Sequence, residues 1–524
     1  MKLPLLIGSA LFVLAVFPLP AQDAPTETEV QEHDNDKLYV ITAFEFDIKG
    51  RTRPSALIYN GEFKIGETIK GRENLDHYVR DKTQLLVNQR ILKDNASVTY
   101  SIGEQAEDGS YPVTLLISTE DSWNIIALPK PEYKSDTGFD LSIGGRDYNF
   151  LGTMNPLKVN LGYKYDENKN SSFQFEVLSD IPFNAIGYRW EVKFYNSFDY
   201  RPMVEEPYYY QNVTGLSMEL PFRKTTFTFG FDESTIVNEE NLDVDKLSKG
   251  LGGRYPDFQN GVYMSSKLYT LWKIPTGFFV PRYGELTYTP NISATFNHEF
   301  PQWELQEIRR GPFMGFGHLL GFEKIDWRVN YRDGISVSID NSYIYDFYSL
   351  KNDEKPLSAL FLLNGTGHFI IRDFLGISTR LMYRQWFYHN PDYYDSASDA
   401  MRGIADKAIT ADYMLSLNAD FPFRVLLFTP SEWFENRKLR FFDFELHASP
   451  VLDMALYHDP RTETSFHPKN TAVSGGLELI IFPALVRNFI ARLGYTINLR
   501  EFFTTKKFPG GNNREIYFIL GHFY

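Results

Sequence analysis

Residues Ile516 to Tyr524 read IYFILGHFY, a β-rich run without a formal charge that continues to the last residue. Aromatic and β-branched residues favour strands. A terminal segment frays unless something ties it down, and an apolar strand without a neighbour is an aggregation hazard. The strand therefore needs a partner, and a sheet closed on itself supplies one while leaving no edge.

Working back from this end, alternating segments recur. SFQFEV (Ser172–Val177) puts Phe173, Phe175 and Val177 on one face and Gln174 and Glu176 on the other; ISVSIDNSY separates Ile335, Val337 and Ile339 from Ser336, Ser338 and Asp340. YMLSLNADF and RFFDFELHAS continue the pattern, with Asn418, Asp420, Asp443, Glu445, His447 and Ser449 on the polar face. A soluble sandwich also alternates, with its apolar face turned inward. Here the apolar sets are rich in Phe and Tyr, like the aromatic girdles of membrane barrels, and helical periodicity is nearly absent after Ile125. The 33 Tyr and 44 Phe of the 524 residues fit the same class. Sixteen to eighteen segments can be counted, and a barrel of sixteen strands is expected, since single-chain bacterial barrels take even numbers. The stretches from Glu233 to Asn260 and from His389 to Ile409 read as long extracellular loops.

Before the barrel lies a different pattern. YVITAFEFDI is extended, RPSALIYNG suits a helical turn or two, and RENLDHYVRDKTQLLVNQRIL carries Leu75, Tyr78, Val79, Leu85 and Leu86 at helical spacing. ASVTYSI and YPVTLLIST follow, joined through EQAEDGS, whose Asp-Gly pair suits a hairpin. This is a compact α+β module over 37–125, followed by the barrel over 126–524. Residues 22–36 are polar and acidic and read as a disordered lead. Residues 1–21 have the secretory-signal layout: Lys2, an apolar core of about a dozen residues, then small and helix-breaking residues before a polar stretch. The uninterrupted apolar stretch is shorter than the ~20 residues of a spanning helix.

Mean hydropathy is −0.32 and no later window approaches a spanning helix, so any crossing of a membrane would be made by strands. The net charge of −14 and the lack of a basic stripe argue against a nucleic-acid partner. The absence of cysteine removes disulfides, thiolate metal sites and cysteine nucleophiles. GFGHLLG (Gly315–Gly321) is not a nucleotide-binding G-x-G-x-x-G, G-x-S-x-G does not occur, and the histidines, including His458 beside Asp459, lack metal spacing. No catalytic residue, metal or cofactor is expected. Arg380, Arg384 and Arg492, at inward parity, read as balancing carboxylates across the barrel.

The module-plus-barrel order resembles the POTRA-and-barrel family that includes BamA, TamA and the two-partner secretion transporters, over nearly the whole stretch from Leu38 to Tyr524. YNFLGT (Tyr148–Thr153) is similar to an Asn-x-x-Gly-Thr turn between early strands of that family's barrel. DAMRGIADK is similar to its Arg-Gly motif, in a long loop that folds back into the lumen; here the motif is Met401, Arg402, Gly403 and Ile404. SPVLDMA is similar to the segment that supplies an aspartate, here Asp453, with Ala455 where glycine is usual. Asn418 stands where an acidic residue is often found, which leaves the loop anchored on Asp453 alone. The terminal run, with Phe518, Gly521, Phe523 and Tyr524, resembles the strand that forms one side of the barrel seam. The parity of Asp453 matches that of Asp443, Glu445 and His447, so an inward-reaching guanidinium could pair with it bidentately.

The resemblance implies a 16-stranded transmembrane barrel in the bacterial outer membrane with one periplasmic POTRA module. It implies an insertase that helps β-barrel proteins fold into the membrane. Its partners would be outer-membrane lipid, unfolded β-barrel clients, and periplasmic chaperones or accessory lipoproteins. The alternatives are an exporter that passes one secreted protein through the lumen, or a plain pore.

Overall fold

The computed structural model describes residues 36–520 except 135–137, 166–170, 201–207, 238–261, 282, 300–311, 348–349, 351–355, 388–399, 405–408, 410, 459–469 and 511–512. The signal-peptide reading of 1–21, the lead up to residue 35, most of both long-loop readings, and Gly521, Phe523 and Tyr524 lie outside the described residues. The first loop reading starts too early, because strand pairing continues to Val237.

The N-terminal module is a four-stranded sheet under two helices. β1 (Leu38–Lys49) runs parallel to β4 (Tyr111–Glu120), and the order is β2-β1-β4-β3, with β2 at Thr68–Lys70 and β3 at Ser97–Ile102. The three-residue β2 escapes a reading by periodicity because it holds no second full alternation cycle. α1 (Pro54–Asn60) begins with a proline, whose missing N–H costs nothing in the first turn. α2 (Arg72–Asn88) buries Leu75, Val79, Lys82 and Leu86. Tyr78 and Leu85 are only half-buried, and Lys82 takes the fourth inward position instead. Its Nζ donates to the Glu62 carbonyl at 2.6 Å and lies 5.7 and 5.2 Å from the centres of the Phe63 and Tyr78 rings. Burial lowers the Lys82 pKa below the usual lysine range. Ile41, Leu57, Leu75, Leu86, Leu92, Leu115 and Ile117 form the centre of one apolar core.

From Ile125 the chain forms a closed antiparallel barrel, nineteen strand segments from β5 (Ile125–Lys134) to β23 (Arg514–Leu520). β18 (Tyr413–Asp420) and β19 (Phe423–Phe428) share one position between β17 (Leu375–Phe387) and β20 (Phe444–His458), broken at Phe421-Pro422. Among the described residues the wall thus has eighteen positions, the upper end of the segments countable in the sequence, and eighteen satisfies the even parity as well as sixteen. RFFDFELHAS is a strand only from Phe444; Arg437–Phe442 is a 3-10 turn, held there by the Asn436 side chain, which accepts from the Lys438 N–H.

The alternation sorts the wall into two faces. Leu141, Ile143, Phe173, Phe175, Leu477 and Leu493 are exposed on the outside, while Asn418, Asp420, Glu445, His447, Asp453 and Glu478 are buried on the inside. An apolar outer face over a polar interior is what a strand wall in lipid requires. The wall is uneven: β8 (Ser171–Ala185) through β17 have 13–19 residues each. β22 (Ala491–Asn498) has 8, β23 has 7 and β5 has 10.

The module is docked to one end of the barrel at several places around the rim. At the turn between β6 (Gly138–Asp147) and β7 (Leu157–Tyr165), Asn149 Nδ2 donates to Thr52 Oγ1 at 2.7 Å and Asp121 Oδ2 at 3.1 Å, and the Arg53 N–H donates to the Gly152 carbonyl at 2.9 Å. Gly152 has φ +73° and lies against the Arg51 backbone, so no side chain fits there. This is the YNFLGT turn. Farther round, the Arg189 guanidinium stacks over Tyr59, whose hydroxyl reaches Glu219 at 3.3 Å. Asn88 bridges Asp326 and the Trp327 N–H, both at 2.9 Å. Arg90 stacks on Trp327 and donates to the Val329 carbonyl at 3.0 Å and to the Arg487 carbonyl. Burial and the adjacent Arg487 push the Arg90 pKa down to about 9.

Candidate functional site

The site is built where the long loop between β17 and β18 re-enters the barrel. Ala400, Met401, Ile404 and Ala411 pack with Met382, Met414, Ala455 and Ala472 of the inner wall. The small side chain of Ala455 leaves room for this apolar collar, and the Asn418 amide donates to the Ala400 carbonyl at 2.9 Å. The collar fixes the loop on both sides of Arg402.

Arg402 is almost wholly buried, at 2% exposure. Its Nε and Nη2 donate to Asp453 at 2.8 and 2.6 Å, and its backbone N–H donates to the same carboxylate at 2.9 Å. Nη1 lies 2.7 Å from Asp420 and 3.0 Å from Glu478. One guanidinium therefore serves three carboxylates, a geometry its fork of donors permits and an ammonium does not. The expectation that the loop rests on Asp453 alone is incomplete. Asp420 carries the inward parity and could have been found from it. Glu478, in GLELIIF of β21 (Thr471–Pro483), shares the period but offers no spacing that sets it apart.

Arg492 completes the cluster by pairing with Glu478 and lying 3.5 Å from Asp420. Arg402 and Arg492 face Asp420, Asp453 and Glu478 in a space screened from water, where pairs are strong and unpaired members costly. The last strand joins in. The Tyr517 hydroxyl of β23 donates to Glu478, and Glu515 of β23 accepts from the Gly403 N–H at 2.9 Å. The loop tip, two arginines and the closing strand thus form one hydrogen-bonded unit. Phe518 of β23 pairs with Leu493 on the outward face.

Gly403 has φ +77°, and a side-chain carbon there would lie 3.0 Å from the Ile497 nitrogen and 3.1 Å from the Thr496 carbonyl carbon. Gly403→Ala is expected to cost about 1–3 kcal/mol, the range for a residue forced into left-handed backbone. Thermal loss of the folded barrel's gel mobility reads this directly; an unchanged midpoint would mean that the tip is not held against β22.

No family model and no curated protein matches the chain. Solved structures do. BamA from Haemophilus ducreyi lacking POTRA domains 1–3 is similar at 12% identity and TM-score 0.39, over 92% of this chain and 84% of that one. CdiB from Acinetobacter baumannii is similar at 12% identity and TM-score 0.42, over 92% and 74%, and CdiB from Escherichia coli at 9% and 0.41, over 96% and 92%.

Proposed function

We propose that this chain is a bacterial outer-membrane insertase of the BamA/TamA type, which helps β-barrel proteins fold into the membrane through a lateral seam. Its module sits in the periplasm, and its partners are membrane lipid and unfolded clients, delivered by periplasmic chaperones or accessory lipoproteins. The observation that carries this reading is the seam between β5 and β23. It is closed by two of the shorter strands of the wall, so it has fewer ladder hydrogen bonds to break than the 13–19-residue strands opposite.

The sequence of β5 weakens the seam further. Pro129 and Pro131 lack the N–H that a ladder needs. Residues two apart point their N–H groups to the same neighbour. β5 keeps unbroken register with β6 from Ile125 to Lys134, so the side on which missing donors are tolerated is that of β23, as in prolines of edge strands. A client strand could replace β23 there, or add beforehand to the edge strand β3 of the module through main-chain hydrogen bonds.

The exporter reading asks for an open lumen. Against it stand the buried Arg402 cluster inside the barrel and the module tied across its end, both of which would have to move for a chain to pass.

Pro129→Val with Pro131→Val restores two donors. At about 0.5–1.5 kcal/mol per hydrogen bond, the double variant is expected to raise the thermal midpoint of the barrel and slow client insertion into vesicles. A faster or unchanged insertion rate in a more stable barrel would contradict opening at this seam.

A further inference from the structure

Between β19 and β20 the wall makes an excursion over residues 429–443, whereas the turns at 186–187, 223–224, 329–330 and 373–374 on the same rim need two residues each. It folds as α3 (Pro430–Trp433) and the 3-10 turn Arg437–Phe442. Asp443 fastens its two ends, accepting from the Ser431 N–H at 3.0 Å and from the Ser431 hydroxyl. The Ala484 N–H donates to the Asp443 carbonyl at 2.9 Å and ties the excursion to the next turn. This is a fastened structure, yet Trp433, Phe434, Phe441 and Phe442 are 57–70% exposed.

The direction of these rings follows from the ladder. Phe428 pairs with Phe444, one residue out of phase with Glu445, which is buried inside. Phe428 and Phe444 therefore lie on the outward face. The Trp433 ring meets Phe428 edge-on with centroids 4.9 Å apart, and Phe428 meets Phe444 at 5.1 Å. The excursion thus folds onto the outside of the wall, continuous with exposed Leu426, instead of lying under the lumen. Arg437, Lys438 and Arg440 are exposed between the two pairs of aromatics, with Glu432 and Glu435 on the preceding turn.

We propose that residues 429–443 form a phospholipid-binding clasp, seated in the periplasmic leaflet with the four aromatics at the headgroup–acyl boundary and the three cations on lipid phosphates. The pattern is that of an interfacial amphipathic element, aromatics below and basic residues above. Continuity with the apolar outer face selects lipid as the occupant, because a lipid leaflet is what that face meets at this rim. The clasp rests on the membrane-barrel reading of the fold.

The lack of cysteine makes the test direct. Phe434→Cys and Phe441→Cys, each carrying an environment-sensitive fluorophore, are placed in the full chain reconstituted into phosphatidylcholine–phosphatidylglycerol vesicles with spin-labelled acyl chains. Leu477→Cys on the outer wall and Asp108→Cys on the module are the references. Quenching at 434 and 441 is expected to be several-fold above that at 108 and comparable with 477. Quenching at 477 alone overturns the clasp and leaves the membrane wall standing; quenching at none of them overturns both. Fluorophore self-quenching at 434 that rises with protein density, without quenching by lipid, would assign the surface to a second copy of the chain. With the quencher carried on phosphatidylglycerol, Arg437→Gln with Lys438→Gln and Arg440→Gln should lower quenching several-fold; no change overturns the role of the cations.

Discussion

Arg402→Ala is expected to lower barrel stability by at least ~3–5 kcal/mol, the range for removing one member of a buried ion pair. The site argues for the upper end, because the same guanidinium serves Asp453, Asp420 and Glu478. Without it, Arg492 still pairs with Glu478 and lies near Asp420, while Asp453 loses its guanidinium. Arg402→Lys should recover only part of the loss, since an ammonium carries the charge but cannot match the bidentate contact with Asp453. Arg402→Ala combined with Asp453→Asn should be less destabilised than the sum of the single changes, because contacting charges are not additive. The readout is the temperature at which the folded barrel loses its compact gel mobility. Small and equal effects of Ala, Lys and Asp453→Asn would mean that the loop arginine is not structural.

The same change bears on the seam. Glu515 and Tyr517 of the closing strand bond to Gly403 and to Glu478, which Arg402 also holds. Parting β23 from β5 while β23 stays in place against the loop requires no loss of these bonds; swinging β23 away breaks them. If the seam opens as proposed, the buried cluster is expected to favour movement of β5 and the strands after it, β6 and β7, which are also short.

Much of this architecture is legible in the residues. Period-two alternation assigns Asp420, Asp443, Glu445 and Asp453 to one face because a pleated strand turns alternate side chains the same way. What alternation does not carry is where a strand stops. Phe441, Phe442 and Phe444 read as one run, yet the Ser431–Asp443 clasp ends the ladder at Phe444, and that contact spans twelve residues. Nor does a local pattern mark Glu478, and the inward parity that marks Arg492 does not foretell its meeting with Glu478 beside Arg402, which depends on barrel register. Lys82 is similar: a cation on the inward stripe of α2 finds its acceptor in Glu62, twenty residues away.

The second large effect is on function. A disulfide joining β5 to β23 should abolish client assembly, because no strand can then enter between them. The chain contains no cysteine, so an introduced pair would hold its only thiols. Cysteines scanned over Ile125–Lys134 against Arg514–Leu520 should crosslink only where Cα atoms come within about 7 Å, which also reports the register of the seam. An exporter that uses its lumen would tolerate the same lock. The decisive measurement is client-barrel assembly by fully crosslinked protein, before and after reduction. Assembly that stops on oxidation and returns on reduction is the predicted result; assembly that continues through a quantitatively oxidised seam would contradict lateral insertion.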